Sequence, residues 1–181
     1  MKTVSVLCLA LLLAASGAHA GEFAQPRPGL HTGGQPTAQD LADLRAQGVA
    51  TIIDLRGADE DRGYAAAAEA QRLGLRYVAL PIAGKDDITP ANAARLQALL
   101  DASGDGVLLH CASGNRVGAL LALAAQQQGK PVEEALQIGR DAGLKSLEPV
   151  VAERLQAQHA CTARDGQQVA QAGNLPQDCA P

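Results

Sequence analysis

Residues 107–128, VLLHCASGNRVGALLALAAQQQ, join a short apolar run to a polar loop and then to a long apolar segment. Val107–His110 has the length and composition of a buried strand, and the Ala- and Leu-rich segment from about Arg116 to Gln128 predicts a helix that ends at Gly129. Cys111 lies in the loop between them. A strand that leads through such a loop into a helix is typical of an α/β protein.

The same alternation extends on both sides of this stretch. Short apolar runs rich in β-branched residues predict strands, and segments with helix-capping residues and terminal glycines predict helices. The predicted strands span residues 49–55, 75–82 and 107–110, and the predicted helices span residues 37–48, 59–73, 89–100, 116–128, 131–142 and 146–158. This order predicts a three-layer α/β fold, with a mostly parallel sheet and helices on both faces. Ligands of such sheets bind beyond the carboxyl ends of the strands, where Cys111 lies.

The N-terminus has the pattern of a secretory signal peptide. Lys2 is followed by a short apolar run, and Ala18-His19-Ala20 is a small-x-small cleavage site, so residues 1–20 are the predicted signal peptide. Export predicts a periplasmic or secreted protein, with no membrane association after cleavage. The remaining chain divides into three predicted parts: an irregular lead-in at 21–36, an α/β domain at 37–160, and a polar tail at 161–181.

The composition argues against nucleic acid as a partner. The chain has 15 basic and 19 acidic residues, no marked Lys/Arg cluster, and only one Phe and two Tyr. Binding of nucleic acid requires a positive surface, and binding of single strands usually requires stacking rings. The composition instead favours action on a small anionic substrate or on a protein side chain.

An oxidising compartment changes how the cysteines are interpreted. Cleavage would leave Cys111, Cys161 and Cys179, of which two are expected to pair. Cys161 and Cys179 share the polar tail, so the simplest prediction is a Cys161–Cys179 disulfide with Cys111 reduced. A metal site at His159 and these two cysteines is disfavoured, because it has only three ligands and no C-x-x-C spacing.

The Cys111 loop has the features of a reactive site. Unpaired amides and the positive end of the following helix favour the thiolate and can hold an anion. Gly114 allows the backbone to turn sharply, and Arg116 can bind two oxygens of a tetrahedral anion. The predicted oxyanion site consists of the loop amides and the guanidinium: Ala112, Ser113, Gly114, Asn115 and Arg116. His110 is predicted to support the loop from behind, since neighbours on a strand face opposite sides. The alternative, an inert buried cysteine, is disfavoured by the polar residues that follow.

The motif His110-Cys111-x-x-Gly114-x-Arg116 resembles the active loop of the cysteine-dependent phosphatase and rhodanese group. The order of elements over residues 30–160 is similar to the phosphatase-like domain of the beta-lactamase-hydrolase-like proteins, a branch near the dual-specificity phosphatases. Three further segments share this resemblance: Gly34-Gln35-Pro36, Ile53-Asp54-Leu55-Arg56 and Asp87-Ile88-Thr89. The resemblance implies a phosphotyrosine-phosphatase-like fold, with Cys111 as nucleophile, Arg116 as oxyanion binder, and Asp86 or Asp87 as general acid. An N-terminal helix-dipole partner is the alternative role for the two aspartates.

Two details of the loop favour sulfur chemistry instead. Four residues separate Cys111 from Arg116, as in many rhodanese-type sulfurtransferases, whereas tyrosine and dual-specificity phosphatases have five. Val117 also stands where those phosphatases have Ser or Thr. Three functions therefore remain open: a phosphatase-like hydrolase of phosphate esters or phosphoproteins, a sulfurtransferase using thiosulfate or a persulfide, and a non-catalytic module that binds an anion or a partner. Each of them requires neither a metal nor a cofactor.

Overall fold

The structure, a computed structural model, describes the backbone of residues 23–169 and the side chains of residues 23–160. Its strands are β1 (Ala24–Arg27), β2 (Leu30–Gly33), β3 (Thr51–Asp54), β4 (Arg76–Ala79) and β5 (Val107–His110). They form one sheet in the order β1-β2-β5-β3-β4. Strand β1 is antiparallel to β2, and all other neighbours are parallel. The predicted mostly parallel sheet is confirmed.

Helices cover both faces of this sheet. They are α1 (Ala38–Ala46), α2 (Ala66–Arg72), α3 (Pro90–Ser103), α4 (Asn115–Gln127), α5 (Val132–Asp141) and α6 (Glu148–Val169). Successive strand residues point to opposite faces. Ile53 and Leu109 accordingly join the core formed with α3, α4, α5 and α6, whereas Ile52 and Leu108 join the smaller core beneath α1 and α2. The three-layer α/β fold is therefore confirmed.

Side-chain caps fix the start of two helices where the sequence predicts them. The Thr37 hydroxyl accepts a hydrogen bond from the amide of Asp40, and the Asp40 carboxylate accepts one from the amide of Thr37. Thr89 likewise accepts from the amide of Asn92, with Pro90 as the first helical residue. Such caps satisfy amides that have no partner inside the helix.

The prediction of an irregular lead-in over residues 21–36 is wrong for residues 24–33. Residues 24–33 form the β1–β2 hairpin, which turns at Gly29 with φ of 76°. Strand β2, with the sequence LHTG, pairs along its whole length with the central strand β5 and buries Leu30. Tertiary pairing thus makes a strand of a segment that lacks an apolar run, and the domain begins before residue 37.

Two predicted helix limits also change. The helix expected at 59–73 spans only 66–72, and residues 55–65 form a loop whose charged side chains turn toward the sheet edge. The last helix begins at Glu148 and continues to Val169, so residues 161–169 of the predicted polar tail are helical. Within the described part of the chain, no helix is long and apolar enough to cross a bilayer.

Candidate active site

Cys111 is the first residue after the central strand β5. Its amide donates to the carbonyl of Gly33 at 3.3 Å, which continues the pairing with β2 by one residue. The residue is 1% exposed. The sheet therefore places the thiol at the carboxyl ends of its parallel strands, where the sequence predicts a site.

The backbone of the loop turns back toward the sulfur. Gly114 adopts φ of 85°, a conformation that L side chains rarely adopt, and precedes the first residue of α4. Its amide donates to the Cys111 Sγ at 3.2 Å. Ala112 and Ser113, which lie between them, are exposed. The loop thus directs one N–H at the sulfur and presents its outer residues to solvent.

A second segment supports the loop from the end of β2. The amide of Gln35 donates to the carbonyl of Ala112 at 3.2 Å, and Gly34 forms an isolated antiparallel bridge with Ser113. A Cβ at Gly34 would lie 3.0 Å from the Ala112 oxygen, which is tighter than nine in ten real Cβ contacts. Glycine at this position therefore allows the close approach that holds the loop in place.

Asn115 connects the loop to the turn between α5 and α6. Its Nδ2 donates to Ser146 Oγ at 2.7 Å, and its Oδ1 accepts from the amide of Lys145 at 2.8 Å. The side chain is thus used to position the turn. Its backbone N–H lies in the first turn of α4, where amides have no intrahelical partner, so the amide is the group that can meet an anion.

Hydrogen bonds to Glu60 hold the terminal edge of the Arg116 guanidinium, which is formed by Nη1 and Nη2. Nη1 and Nη2 donate to the two carboxylate oxygens of Glu60 at 2.5 and 2.7 Å, and Nη1 also donates to the carbonyl of Ile82 at 2.7 Å. The Glu60 hydrogen bonds, opposed by partial burial and aided by the charge of Cys111, raise the pKa of Arg116. The side chain is 12% exposed. Arg116 is therefore a fixed, permanent cation beside the thiol.

Glu60 is the principal site residue that sequence reasoning missed. Besides Arg116, its carboxylate accepts from the amide of Gly57 at 2.8 Å and from Arg56 Nε at 3.3 Å. The Arg116 hydrogen bonds are the main reason that the pKa of Glu60 falls to about 2. The available signal was a charged run, Asp59 to Arg62, between Gly57 and Gly63 at the carboxyl end of a buried strand.

A buried polar cluster lies behind the loop. The Asp54 carboxylate, which is fully buried, accepts from Arg62 Nε at 2.7 Å and from the Tyr77 hydroxyl at 2.5 Å. Burial alone would raise the pKa of Asp54, but the electrostatic interaction with His110 and these hydrogen bonds lower it. His110 Nε2 lies 3.8 Å from Asp54, and burial lowers the pKa of His110 although the charge of Asp54 opposes this effect. His110 lies behind the loop, with Nδ1 3.4 Å from the Cys111 carbonyl oxygen.

The two candidate acids lie on the segment that follows β4. They belong to a short 3-10 helix, Lys85–Asp87. The Asp87 carboxylate accepts from the amide of Ala83 at 2.7 Å, and Asp86 is exposed. Ile82, which lies earlier in the same segment, accepts a hydrogen bond from Arg116 through its carbonyl. Neither carboxylate has a hydrogen bond to the Cys111 loop within the described residues.

The other predicted groups fall partly outside the structure. Cys161, Cys179 and residues 1–20 lie outside the described side chains, so the disulfide and the signal peptide stay predictions. Among the residues described here, Cys111 is the free cysteine, and no cluster of His, Cys, Asp and Glu could hold a metal ion.

A family model described as a DSP-PTPase phosphatase fused to NAD+ kinase (PTP-NADK) matches residues 19–170. The chain belongs to this family. The fold of this PTP-NADK member agrees with that assignment, and the resemblance to a phosphatase-like domain is confirmed. The comparisons do not favour the sulfurtransferase or the non-catalytic module.

Curated relatives of this PTP-NADK member include the beta-lactamase hydrolase-like protein of Xylella fastidiosa. It is 33% identical over 101 residues, which are 54% of this chain and 23% of the relative. The matched region thus spans about a quarter of the relative's length. This similarity agrees with the predicted resemblance to the beta-lactamase-hydrolase-like proteins.

Solved structures show the same fold. The Neisseria meningitidis protein nma1982, described as a phosphatase, aligns with a TM-score of 0.64 and 23% identity over 74% of this chain and 96% of its own. TpbA of Pseudomonas aeruginosa, crystallised with phosphotyrosine as a cysteine-to-serine variant, aligns with a TM-score of 0.59 and 21% identity over 87% of this chain and 100% of its own. The phosphotyrosine-phosphatase-like fold is therefore confirmed, and the family supports a phosphatase-type hydrolase.

Proposed function

We propose that this protein is an exported, cysteine-dependent phosphatase that hydrolyses phosphate monoesters, with Cys111 as the nucleophile. The observation that carries the proposal is the pairing of a buried thiol with an amide donor at 3.2 Å and a clamped guanidinium in one six-residue loop. Family membership supports the reaction type, and the phosphotyrosine bound to TpbA supports an aryl phosphate as the probe.

Arg116 would bind two phosphate oxygens through its remaining edge. Three of its five N–H groups donate to Glu60 and Ile82, which leaves Nε–H and one Nη2–H on the same side of the guanidinium. This edge has the geometry for bidentate binding of an oxyanion. The free amides at the start of α4 would hold the remaining oxygen.

In the first step, the Cys111 thiolate attacks phosphorus and a sulfur–phosphorus bond forms. The bond from phosphorus to the ester oxygen breaks with its electron pair on that oxygen, which takes a proton from Asp86 or Asp87. The fixed donors stabilise the charge on the equatorial oxygens. The first product leaves as an alcohol or phenol.

In the second step, water attacks the phosphocysteine and loses a proton to the same aspartate. The sulfur–phosphorus bond breaks, inorganic phosphate leaves, and the thiolate of Cys111 is restored. Every step uses groups of this chain and water, so the proposal needs no metal or cofactor.

The deciding experiment measures p-nitrophenyl phosphate hydrolysis and thiosulfate-to-cyanide sulfur transfer side by side. We expect ester hydrolysis by the wild type, its loss in Cys111→Ser, and a large decrease in Arg116→Ala. Arg72→Ala is the matched control, because Arg72 also pairs with a glutamate but lies exposed on α2. Sulfur transfer that depends on Cys111, without hydrolysis of any phosphate ester, would establish the sulfurtransferase instead. Hydrolysis that survives Cys111→Ser would exclude the proposed nucleophile.

A further inference from the structure

We propose that Glu60 is a positioning residue that selects which edge of Arg116 meets the substrate, an inference that rests on the proposed phosphatase function. Both carboxylate oxygens of Glu60 occupy the terminal edge of the guanidinium, formed by Nη1 and Nη2. An anion approaching the site is therefore restricted to the other edge, Nε and Nη2.

Glu60 can act in this way because it is itself fixed. The Gly57 amide and Arg56 Nε hold its two oxygens. Arg56 is in turn held by Gln35 Oε1 at 2.5 Å and by the carbonyl of Asp61 at 2.6 Å. In this clamp on Arg116, formed by Glu60 and Arg56, Arg56 is 8% exposed and the Glu60 side chain is 31% exposed.

The clamp closes a ring of contacts that returns to the Cys111 loop. Gln35 donates from its backbone amide to Ala112, while its side chain accepts from Arg56. Arg56 donates to Glu60, and Glu60 accepts from Arg116 at the end of the same loop. Three residues from two other loops, Gln35, Arg56 and Glu60, thus fix the position of Arg116 relative to the Cys111 loop.

The negative charge of Glu60 and its proposed positioning role predict opposite effects of Glu60 removal on phosphate affinity. A carboxylate beside Arg116 weakens the attraction of an anion, so by charge alone its loss should strengthen phosphate binding. If Glu60 instead holds the guanidinium in its productive orientation, its loss should weaken binding. A misplacement of about 1 Å can reduce rates by about 10²-fold.

The test compares Glu60→Gln and Glu60→Asp with the wild type, using titration calorimetry with inorganic phosphate and kinetics with p-nitrophenyl phosphate. The glutamine variant removes the negative charge. The aspartate variant keeps the charge, but its side chain is one methylene shorter, so the carboxylate lies farther from Arg116. We expect phosphate affinity to fall about 10-fold and kcat/KM about 10²-fold in both variants. Glu69→Gln is the matched control, because Glu69 also accepts two hydrogen bonds from one arginine, Arg72, and both residues belong to α2.

Several outcomes would overturn the inference. These are unchanged or tighter phosphate binding by Glu60→Gln, or wild-type kinetics in Glu60→Asp. A double-mutant cycle adds a readout that a merely structural role would not produce: Glu60→Gln should have little further effect on phosphate affinity in an Arg116→Ala background. An equal effect in both backgrounds would contradict action through Arg116. A wild type that binds phosphate but hydrolyses no ester would defeat the proposed function alone, since the binding measurements would still decide the role of Glu60.

Discussion

The backbone amide of Gly114 points at the sulfur of Cys111, with nitrogen and sulfur 3.2 Å apart. A donor at this distance stabilises negative charge on sulfur more than it stabilises the thiol. Arg116, which interacts electrostatically with the same side chain, acts in the same direction. The backbone amide and the guanidinium therefore both act on the Cys111 sulfur.

Replacement of Arg116 should slow alkylation of Cys111. Arg116 interacts electrostatically with the Cys111 side chain, so loss of the guanidinium in Arg116→Ala should make the sulfur react more slowly with iodoacetamide near neutral pH. Peptide mapping at several times and pH values measures this, with Arg72→Ala as control. Cys111 is 1% exposed, so an equal or faster rate in Arg116→Ala would show that access to the sulfur, not its charge, limits the reaction.

The Glu60 clamp should stabilise the fold in a pH-dependent way. The pKa of Glu60 falls from 4.5 to about 2, mainly through the Arg116 hydrogen bonds. The ionised carboxylate thus stabilises the folded state fully above pH 4.5, and this stabilisation is lost as the pH falls through about 2. The difference in unfolding free energy between the wild type and Glu60→Gln should be largest above about pH 5 and shrink toward pH 2. Urea denaturation across this range tests it, and a difference independent of pH would contradict it.

The packing of α4 on α5 should tolerate no side chain at Gly118. A Cβ there would overlap the backbone of Gly139 and Leu144. Gly118→Ala should therefore destabilise the protein by about 1–3 kcal/mol, measured by chemical denaturation. Gly84→Ala is the control, because a Cβ at Gly84 meets no atom within 4 Å and its φ of −173° suits any residue. Equal stability of the two variants would show that α5 can move away without cost.

The parts of the fold that sequence predicts well are those specified locally. The strand β5, the turn at Gly114 and the helix α4 are adjacent in the chain, and each has its own signal in apolar pattern or glycine. Strand β2 has no such signal, because its sequence LHTG becomes a strand only by pairing with β5. Local pattern therefore finds the nucleophile's loop but not the hairpin that supports it.

The clamp was missed for a related reason. Residues 59–73 have helix-forming composition, and the pattern gives no sign that Glu60 pairs with Arg116, which is 56 residues away. The charge run at Asp59 to Arg62 would suit an exposed helix equally well. Whether Glu60 faces solvent or Arg116 depends on how the loop folds against the sheet edge, which is tertiary information. Cys111 and Arg116 could thus be predicted from sequence, whereas their positioning partner could not.

Export should remove the first 20 residues. The apolar run after Lys2 and the Ala18-His19-Ala20 site predict a mature chain that starts at Gly21. Intact-mass measurement of protein recovered from the periplasm, with the cytoplasmic fraction as control, tests this. A periplasmic protein that still carries Met1 would contradict the prediction.

The aspartates after β4 should separate phosphate chemistry from sulfur chemistry. A poor leaving group gains about 10²–10⁴-fold from a positioned acid, whereas sulfite leaves thiosulfate as a stable anion without a proton. Asp86 is exposed, and the Asp87 carboxylate closes the turn by accepting from Ala83, a hydrogen bond that an asparagine oxygen can also accept. Asp86→Asn and Asp87→Asn therefore remove acidity while preserving the turn.

We expect one of them to reduce phenyl phosphate hydrolysis steeply and p-nitrophenyl phosphate hydrolysis less, because the nitrophenolate needs less protonation. Asp101→Asn is the control, because Asp101 is an exposed residue of α3. If the variant with both substitutions loses no hydrolysis of either ester, the aspartates act only as dipole partners of the helix that they precede. If that variant retains full sulfur transfer and no variant or wild type shows phosphatase activity, the four-residue spacing between Cys111 and Arg116 was the better guide to the reaction.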